Sequence, residues 1–176
     1  MNDSSRSSDD EERFAEWGRL HGPAVRAYLL AMVRRPELAD ELAQEVFFRA
    51  WKARHRYWED GNARAYLLRI ADRLACDFAR KARREVHLSE EAWQNVQAAA
   101  AAVQPADCLA RKEAIEQLHS ALDRLTAEQR RVLLLRYYGG LSFSEIAAIL
   151  ACPLGTALSH CHRGLLALRS LLAETS

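Results

Sequence analysis

The spacing of apolar residues is the feature that most limits the folds open to this chain. Along most of its length they recur every three or four positions, as at Leu67, Ile70 and Leu74. Such spacing puts an apolar stripe on one face of an α-helix. Seven glycines and four prolines in 176 residues leave few interruptions, and the common Ala, Leu, Arg and Glu are good helix formers. The sequence therefore predicts an all-α protein.

Each periodic stretch is expected to turn its stripe toward a core. The stripes are Phe14, Trp17, His21, Ala24 and Tyr28; Leu38, Leu42, Val46 and Ala50; Leu67, Ile70, Leu74 and Phe78; Ile115, Leu118, Leu122 and Leu125; and Leu154, Leu158, Cys161, Leu165, Leu168 and Leu172. Thr126 is expected to cap a helix that begins at Ala127 and ends at the Gly139-Gly140 pair.

Interruptions of the pattern divide the chain into parts. Residues 1–12 are Ser-rich and acidic with almost nothing apolar, which predicts a mobile tail. Residues 13–84 form a first helical domain. Residues 85–106 carry an acidic patch, a run of alanines and Pro105 but no core-facing stripe, as expected of an interdomain linker. Residues 107–176 form a second helical domain.

A helix-turn-helix is predicted within the second domain. Ser142 can cap a short helix that runs through Ile149, a turn at residues 151–154 contains Pro153, and a longer helix follows. Such a pair can present its second helix to a DNA major groove, which is about as wide as a helix. This stretch alone leaves an ordinary helical hairpin open as the alternative.

Cationic residues gather toward the end of the first domain. They are Arg69, Arg73, Arg80, Lys81, Arg83 and Arg84. The run indicates contacts with DNA phosphates, and a solvated helix end is the alternative. Tyr57, Trp58 and Tyr66 lie near the same region and are suited to stack on unpaired bases. Trp58 is equally suited to anchor the core.

Acidic and amide side chains line the helix that begins near Pro36. They are Asp40, Glu41, Gln44 and Glu45, beside an apolar face. The pattern indicates a helix that docks on a basic protein surface, and a solvated amphipathic helix is the alternative.

Taken in order, these three motifs resemble the extracytoplasmic-function, or group 4, sigma factors of bacterial RNA polymerase, over most of the chain from Phe14 to Leu172. The segment Ala39–Trp51 is similar to the family's region 2.2, which packs on the polymerase clamp. Residues 66–84 resemble regions 2.3 and 2.4, which open and contact the −10 element. Residues 121–164 resemble region 4, which contacts the −35 element and the polymerase flap.

The resemblance implies two small helical domains, a sigma region 2 bundle and a sigma region 4 helix-turn-helix, joined by a linker. It implies a non-enzymatic protein that binds core RNA polymerase and promoter DNA and is controlled by an anti-sigma factor. The polymerase contacts implied are Asp40, Glu41, Leu42, Gln44, Glu45 and Phe48. The −10 contacts implied are Tyr57, Trp58, Asn62, Tyr66, Arg69, Arg73, Arg80, Lys81, Arg83 and Arg84. The −35 contacts implied are Ser142, Thr156, Ser159, His160, His162 and Arg163.

The second domain departs from the family at two positions. Leu158 and His160 stand where the family usually has a lysine and an arginine, so salt-dependent affinity for DNA should fall. Periodicity turns Leu158 toward the core, whereas the resemblance turns it outward. We favour the outward direction, because Ala157 and Cys161 already match the buried positions of the family.

The first domain departs at Asp72-Arg73, where the family commonly has Arg-Asn. Asp72 would repel phosphate if it faced DNA. Since the second domain has lost more cations from its DNA-contacting helix than the first, we expect this protein to depend on polymerase and on the −10 contact more than its relatives do.

A zinc site can be considered at Cys152, His160, Cys161 and His162. Neighbouring side chains on a helix point in different directions and do not converge on one ion, so neither a metal nor another cofactor is expected. The cysteines are widely spaced without a CxxC pair and are expected to be reduced thiols.

Other classes of function find little support in the sequence. A Gly-rich phosphate loop and a nucleophile elbow are both missing, which argues against an enzyme. The start of the chain lacks the basic and apolar segments of a signal peptide, and no apolar stretch has membrane-spanning length. A cytoplasmic location without membrane insertion is expected. The alternative function is a stand-alone helix-turn-helix regulator that binds DNA without polymerase.

Overall fold

The computed structural model describes residues 3–54, 62–86 and 106–174, and all regular structure within these ranges is α-helical. The helices are α1 (Asp3–Val33), α2 (Pro36–Lys52), α3 (Ala63–Val86), α4 (Ala106–Asp123), α5 (Ala127–Tyr137), α6 (Phe143–Leu150) and α7 (Leu154–Ala173). The all-α prediction is confirmed. The described residues fall into two compact units, one within Met1–Lys81 and Tyr137–Leu141 and the other within Ala82–Arg136 and Ser142–Ser176.

The start of α1 differs from the tail predicted over residues 1–12, because the helix begins at Asp3. Asp10 accepts a hydrogen bond of 2.7 Å from Arg13 and lies 3.4 Å from Arg54, beyond the end of α2. Local electrostatics thus supports the helix where the composition supplies no apolar core.

The core of the first unit follows the predicted stripes in part: Tyr28, Val46 and Leu67 belong to them, whereas Val25 and Leu29 of α1 do not. α1 packs along α2. Val25, Tyr28 and Leu29 of α1, Val46 of α2 and Leu67 of α3 are all fully buried.

Aromatic rings join the three helices of this unit. The ring centroid of Phe14 on α1 lies 4.9 Å from that of Trp17 and 5.0 Å from that of Trp51 on α2. The Tyr66 ring on α3 lies edge-on to Trp17 at 6.4 Å. Contacts of this kind contribute about 0.5–1.5 kcal/mol each beyond the area they bury.

The turn between α1 and α2 is set by two adjacent residues and a proline. Arg34 adopts a left-handed conformation with φ of 59°, and its N–H bonds to the carbonyl of Leu30 at 2.8 Å. Arg35 is extended, and Pro36 occupies the first helical position of α2, where its missing N–H costs no hydrogen bond.

The second unit packs α7 against both α4 and α6. The buried residues of α7 are Ala157, Cys161 and Gly164. On α5, four consecutive residues from Val132 to Leu135 are buried. The small side chains on α7 allow the neighbouring helices to approach closely.

Two of the predicted stripes, on α4 and α7, are partly wrong. Leu154, Leu158 and Leu165 of α7 are 47%, 45% and 40% exposed, and Ile115 of α4 is 46% exposed. On α7 the periodicity follows the large leucines, whereas the face that packs is made of small residues. The outward direction of Leu158 that the resemblance implied is confirmed.

Gly164 marks a close approach of α7 to α5. A Cβ atom at this position would lie 3.1 Å from Leu133 Cδ1 and 3.3 Å from Gln129 Cβ. Any larger residue therefore requires the two helices, or the buried Leu133 side chain, to move.

The predicted cap at Thr126 is confirmed. The backbone N–H of Gln129 donates to Thr126 Oγ1, and the Gln129 side-chain oxygen accepts from the Thr126 N–H, both at 3.3 Å. The helix ends at Tyr137, and Gly140 follows with φ of 66°. Glycine adopts this conformation without the steric cost that a Cβ would add.

Length and apolar composition are insufficient for any one described helix to cross a membrane, although α6 and α7 meet the requirement jointly as a pair bent by 103°. The part of the chain that the structure describes places no three His, Cys, Asp or Glu side chains where they could hold a metal ion. Cys152 and Cys161 carry free thiols, and burial raises the pKa of Cys161.

Candidate DNA- and polymerase-binding surfaces

Cationic side chains share one exposed face of α3. A helix turns by about 100° per residue, so positions 69, 73, 80 and 84 fall within roughly 40° of position 73. We define the α3 basic face as Arg69, Arg73, Arg80, Lys81 and Arg84, all of them exposed. It extends about 22 Å along the helix at 1.5 Å per residue. Asp77 lies on the same face and forms an ion pair with Arg80.

Asp72 points into the core rather than toward this face. It is 2% exposed, and its Oδ1 accepts a hydrogen bond of 2.7 Å from the Tyr28 hydroxyl. The Cys76 Sγ lies 4.0 Å from the same oxygen. The repulsion of phosphate considered for Asp72 therefore does not arise, because the carboxylate ties α3 to α1 while Arg73, one residue on, faces outward.

The aromatic residues considered for base stacking divide into two groups. Tyr66 is half-buried against Trp17, and burial raises the pKa of its hydroxyl, so it forms part of the core of the first unit. Tyr57 and Trp58 lie outside the described residues. Asn62 is exposed immediately before α3, and its carbonyl accepts from the Tyr66 N–H at 3.1 Å.

The polymerase contacts predicted on α2 differ in their exposure. Glu41, Gln44 and Phe48 are exposed, while Asp40, Leu42 and Glu45 are half-buried. The Phe48 ring is 50% exposed, and Lys52 Nζ lies 4.2 Å from its centroid. Glu45 accepts a hydrogen bond of 2.6 Å from Arg49. We define the α2 docking face as Glu41, Glu45 and Phe48, which lie within about 60° of one another around Glu45.

Asp40 is directed to α1 instead. Its two carboxylate oxygens accept from Arg26 Nε at 2.5 Å and from Arg26 Nη2 at 3.2 Å. The hydrogen bond from Arg26 holds the pKa of Asp40 below its ordinary value, and the same pairing raises the pKa of Arg26. A bidentate pair of this kind fixes the relative orientation of the two side chains as well as their distance. Asp40 therefore positions α2 on α1. Its predicted polymerase contact stays a prediction.

α6 and α7 form the helix-turn-helix that the sequence predicted. Ser142 caps α6: its Oγ accepts from the Glu145 N–H at 3.3 Å, and Glu145 Oε2 accepts from the Ser142 N–H at 2.6 Å. Ala151 then adopts a left-handed conformation with φ of 51°, and the Cys152 N–H reaches the Ala147 carbonyl at 3.0 Å. The resulting bend of 103° lies in the range of helix-turn-helix units and excludes an antiparallel hairpin.

The predicted −35 contacts on α7 are only partly presented to solvent. Ser159, His162 and Arg163 are exposed, whereas Thr156 and His160 are half-buried. His160 Nδ1 is buried without a hydrogen-bond partner among the described residues, so this ring is turned partly away from any DNA surface. Ser142 is exposed, but its side chain is occupied in the cap of α6.

Sequence reasoning missed three contacts that position these surfaces: Tyr28–Asp72, Arg26–Asp40 and the approach of Gly164 to α5. The first two join residues more than a dozen positions apart, and spacing alone carries no signal of such pairing. The third had a signal, because a glycine in the middle of an apolar helix commonly marks close packing.

Two compact helical units, one with a basic helix and one with a helix-turn-helix, define a two-domain DNA-binding protein. The sigma-70 region 2 family model matches residues 19–85, and the sigma-70 region 4 model matches residues 115–168. Together the two models cover the α2 docking face, the α3 basic face and the helix-turn-helix.

Curated relatives align with most of the chain. The sequence is 32% identical to the ECF RNA polymerase sigma factor EcfG of Rhodopseudomonas palustris over 150 residues, covering 85% of this chain and 80% of the relative. It is 29% identical to the ECF RNA polymerase sigma factor SigX of Bacillus subtilis over 144 residues, covering 81% and 74%.

A solved structure shares the fold at comparable identity. The sigma factor RpoE of Bartonella quintana, crystallised with the anti-sigma factor NepR, superposes with a TM-score of 0.75 at 28% identity, covering 92% of this chain and 98% of that one. The chain belongs to the extracytoplasmic-function sigma factors of RNA polymerase. The matches span both domains, which does not favour a stand-alone helix-turn-helix regulator.

Proposed function

We propose that this protein binds core RNA polymerase and directs it to specific promoters by contacting their −10 and −35 elements. The observation that carries the proposal is the α3 basic face, a row of exposed cations of which Arg69, Arg73, Arg80 and Lys81 lie in a different compact unit from the helix-turn-helix. A single chain thereby offers two separate surfaces for duplex DNA, as a protein that positions polymerase at a promoter requires. In this proposal the polymerase carries the chemistry and the chain itself is not an enzyme.

The α2 docking face is proposed to bind the polymerase clamp. Its exposed aromatic ring supplies apolar area, and its carboxylates supply charge that complements a basic surface. Asp40 is paired with Arg26 of α1 and Glu45 with Arg49 of α2, so Glu41 is taken as the main source of charge for docking. Gln44 and Leu42 would contribute the adjoining edge.

The α3 basic face is proposed to hold the phosphates beside the −10 element. Each cation that neutralises a phosphate releases condensed counterions, which makes binding strongly dependent on salt. Asn62 is exposed at the start of the same helix and is placed to contact bases there. Tyr57, Trp58 and Arg83 are proposed to take part, although the side chains of these residues lie outside those that the structure describes.

The exposed residues of α7 are proposed to contact the −35 element in the major groove, with the polymerase flap bound by the same domain. Ser159, His162 and Arg163 carry the polar contacts, with Thr156 and His160 at the edge. The rigid turn at Ala151 fixes the angle at which α7 is presented.

Control by an anti-sigma factor is proposed for this chain as well. The Bartonella quintana relative was crystallised with such a partner, and the exposed α2 docking face is a surface that a competitor of polymerase would need to cover. With polymerase and promoter DNA as its proposed partners, we place the protein in the cytoplasm.

Reconstitution with purified core polymerase tests the proposal. We expect the chain to co-purify with core and to support run-off transcription from promoters that core alone does not use. Failure to bind core would overturn the proposal, and a gel shift of the same promoters without polymerase would instead favour the stand-alone regulator.

A matched pair of charge reversals makes the test specific to the α2 docking face. Glu41→Lys combined with Glu45→Lys is expected to lower core binding at least tenfold, since like charges at an interface cost several kcal/mol. Glu16→Lys, at an exposed position on α1 of the same domain, is the control and should leave core binding unchanged. Equal losses in the two variants would contradict the assigned docking face.

A further inference from the structure

Leu158 is an exposed apolar residue at a position where DNA is expected to pass. Its side chain is 45% exposed on the second turn of α7, while Ala157, one residue before it, and Cys161, three residues after it, are buried at 0% and 5%. These two neighbours fix the rotation of the helix, so Leu158 does not turn inward without exposing them. The burial of these two residues therefore keeps the Leu158 side chain at the solvent-exposed surface of α7.

The surroundings of Leu158 identify the surface to which it belongs. At about 100° per residue, His162 lies roughly 40° from Leu158 around the helix, and Ser159 about 100° from it. Both are exposed. In helix-turn-helix proteins the N-terminal residues of the second helix contact the base edges, and Leu158 is the fifth residue of α7. It therefore adjoins the polar −35 contacts.

Few groups in the major groove are available for contact with an apolar side chain. Each base pair presents hydrogen-bonding atoms there, and thymine alone adds a methyl group at C5. A leucine side chain offers no donor or acceptor and gains free energy only by leaving water against another apolar group. A cation at the same position would contact phosphate or guanine and would favour different sequences.

We propose that Leu158 contacts a thymine methyl group in the −35 element and thereby makes this protein prefer thymine at that position. The inference rests on the proposed function and adds a specificity residue to it. The contact gives selectivity without charge, which fits a stretch from Gly155 to Gly164 where Arg163 is the one permanent cation.

A protein surface is the competing occupant, and the length of the exposed apolar row bears on the choice. Leu154 and Leu165 are 47% and 40% exposed within about 40° of Leu158 around the helix, and Leu166 is 55% exposed about 80° from it. Leu154 lies one turn before Leu158, while Leu165 and Leu166 lie seven and eight residues beyond it, about 10–12 Å further along the axis. Ser159 and His162 are exposed beside Leu158 and are suited to contact bases, whereas Leu165 and Leu166 lie about two turns further along the axis, away from the N-terminal residues that contact base edges. DNA is therefore the occupant assigned to Leu158.

Replacement of thymine by uracil, introduced as deoxyuridine, tests the contact, because the two bases differ only by the C5 methyl group. Holoenzyme formed with core polymerase is first used to select promoters from a library with a randomised −35 element. Each thymine of the selected element is then replaced in turn, and holoenzyme binding is measured by competition. At one position the substitution is expected to weaken binding about three- to fivefold, the value of burying one methyl group.

Two leucine variants identify the partner of that methyl group. Leu158→Ala is expected to bind the thymine promoter about as weakly as the wild type binds the deoxyuridine promoter, and to lose sensitivity to the methyl group. Leu166→Ala, the matched control on the same helix, should keep the full sensitivity. An unchanged methyl effect in Leu158→Ala, or the absence of any selected thymine, would overturn the inference.

The outcomes also separate this inference from the proposed function. A holoenzyme that initiates at selected promoters but ignores every methyl group leaves the sigma function standing and removes the role of Leu158. A Leu158→Ala variant that loses core binding rather than methyl sensitivity assigns the leucine to a protein surface and overturns the inference. Failure of the wild-type chain to bind core contradicts both.

Discussion

The two helices that are proposed to face DNA present opposite chemistry. α3 carries five exposed cations on one face, whereas the segment of α7 from Gly155 to Gly164 has Arg163 as its one permanent cation and Leu158 exposed. Electrostatic attraction to phosphate is insensitive to sequence, while contacts with base edges are weak but selective. The difference suggests a division in which the first domain supplies affinity and the second supplies discrimination.

α3 and α7 each also make a packing contact that the spacing of apolar residues does not predict. Asp72 ties α3 to α1 through the Tyr28 hydroxyl, and Gly164 brings α7 against Leu133 of α5. One scaffold depends on a buried polar bond and the other on the absence of a side chain. Substitutions at the two positions should therefore fail for different physical reasons.

The largest effect is expected from removal of cations on α3. Combined Arg69→Ala, Arg73→Ala and Arg84→Ala should weaken promoter binding by holoenzyme on the order of a hundredfold at roughly physiological salt, with the salt slope reduced by about 0.9 per lost contact. Arg163→Ala on α7 should reduce the slope by about one such step. Titration of binding against potassium chloride measures both. Equal slopes for the triple and single variants would contradict the proposed division.

A smaller effect is expected at Asp72. Asp72→Ala removes a buried hydrogen-bonded carboxylate and should lower the free energy of unfolding by about 2–3 kcal/mol. Asp77→Ala is the matched control on the exposed face of the same helix, where loss of the ion pair with Arg80 should change stability by less than about 1 kcal/mol. Urea denaturation measures both. If Asp72→Ala instead strengthened DNA binding at unchanged stability, the carboxylate would face DNA after all.

The sequence predicted the elements of both domains better than their contacts. Periodicity and capping residues predicted the helix that starts after Thr126, the short helix capped by Ser142 and the turn before α7. They did not predict which of two adjacent residues, Asp72 or Arg73, turns inward, because either fits an amphipathic pattern. The stripe predicted on α7 is partly wrong because the spacing follows the large leucines, whereas close packing there selects small side chains.

Substitutions at two glycines of α7 test how tightly this helix packs against α5. Gly164→Ala should lower the free energy of unfolding of the second domain by about 1 kcal/mol, because overpacking against Leu133 outweighs the gain in helix propensity. Gly155→Ala places its Cβ where nothing lies within 4 Å and should raise stability by up to about 1 kcal/mol. Thermal unfolding of the two variants gives the comparison, and a stabilised Gly164→Ala would mean that α5 and α7 yield readily.

The smallest effect, and the one that most sharpens the contrast, is expected from restoring a cation to α7. Leu158→Lys places an ammonium group at a position that is exposed and beside the proposed −35 contacts. One added phosphate contact should raise the salt slope of promoter binding by about 0.9, and affinity at physiological salt by about fivefold. On scrambled −35 elements the gain should be similar whatever the sequence, since phosphate contacts carry no base information, whereas the selected element also loses its proposed contact with the Leu158 side chain. Binding competition between selected and scrambled −35 elements measures this, and discrimination should fall as affinity rises. A Leu158→Lys variant with unchanged salt slope would show that position 158 does not approach the DNA backbone. The low number of cations on α7 would then not explain the proposed difference between the two domains in DNA affinity.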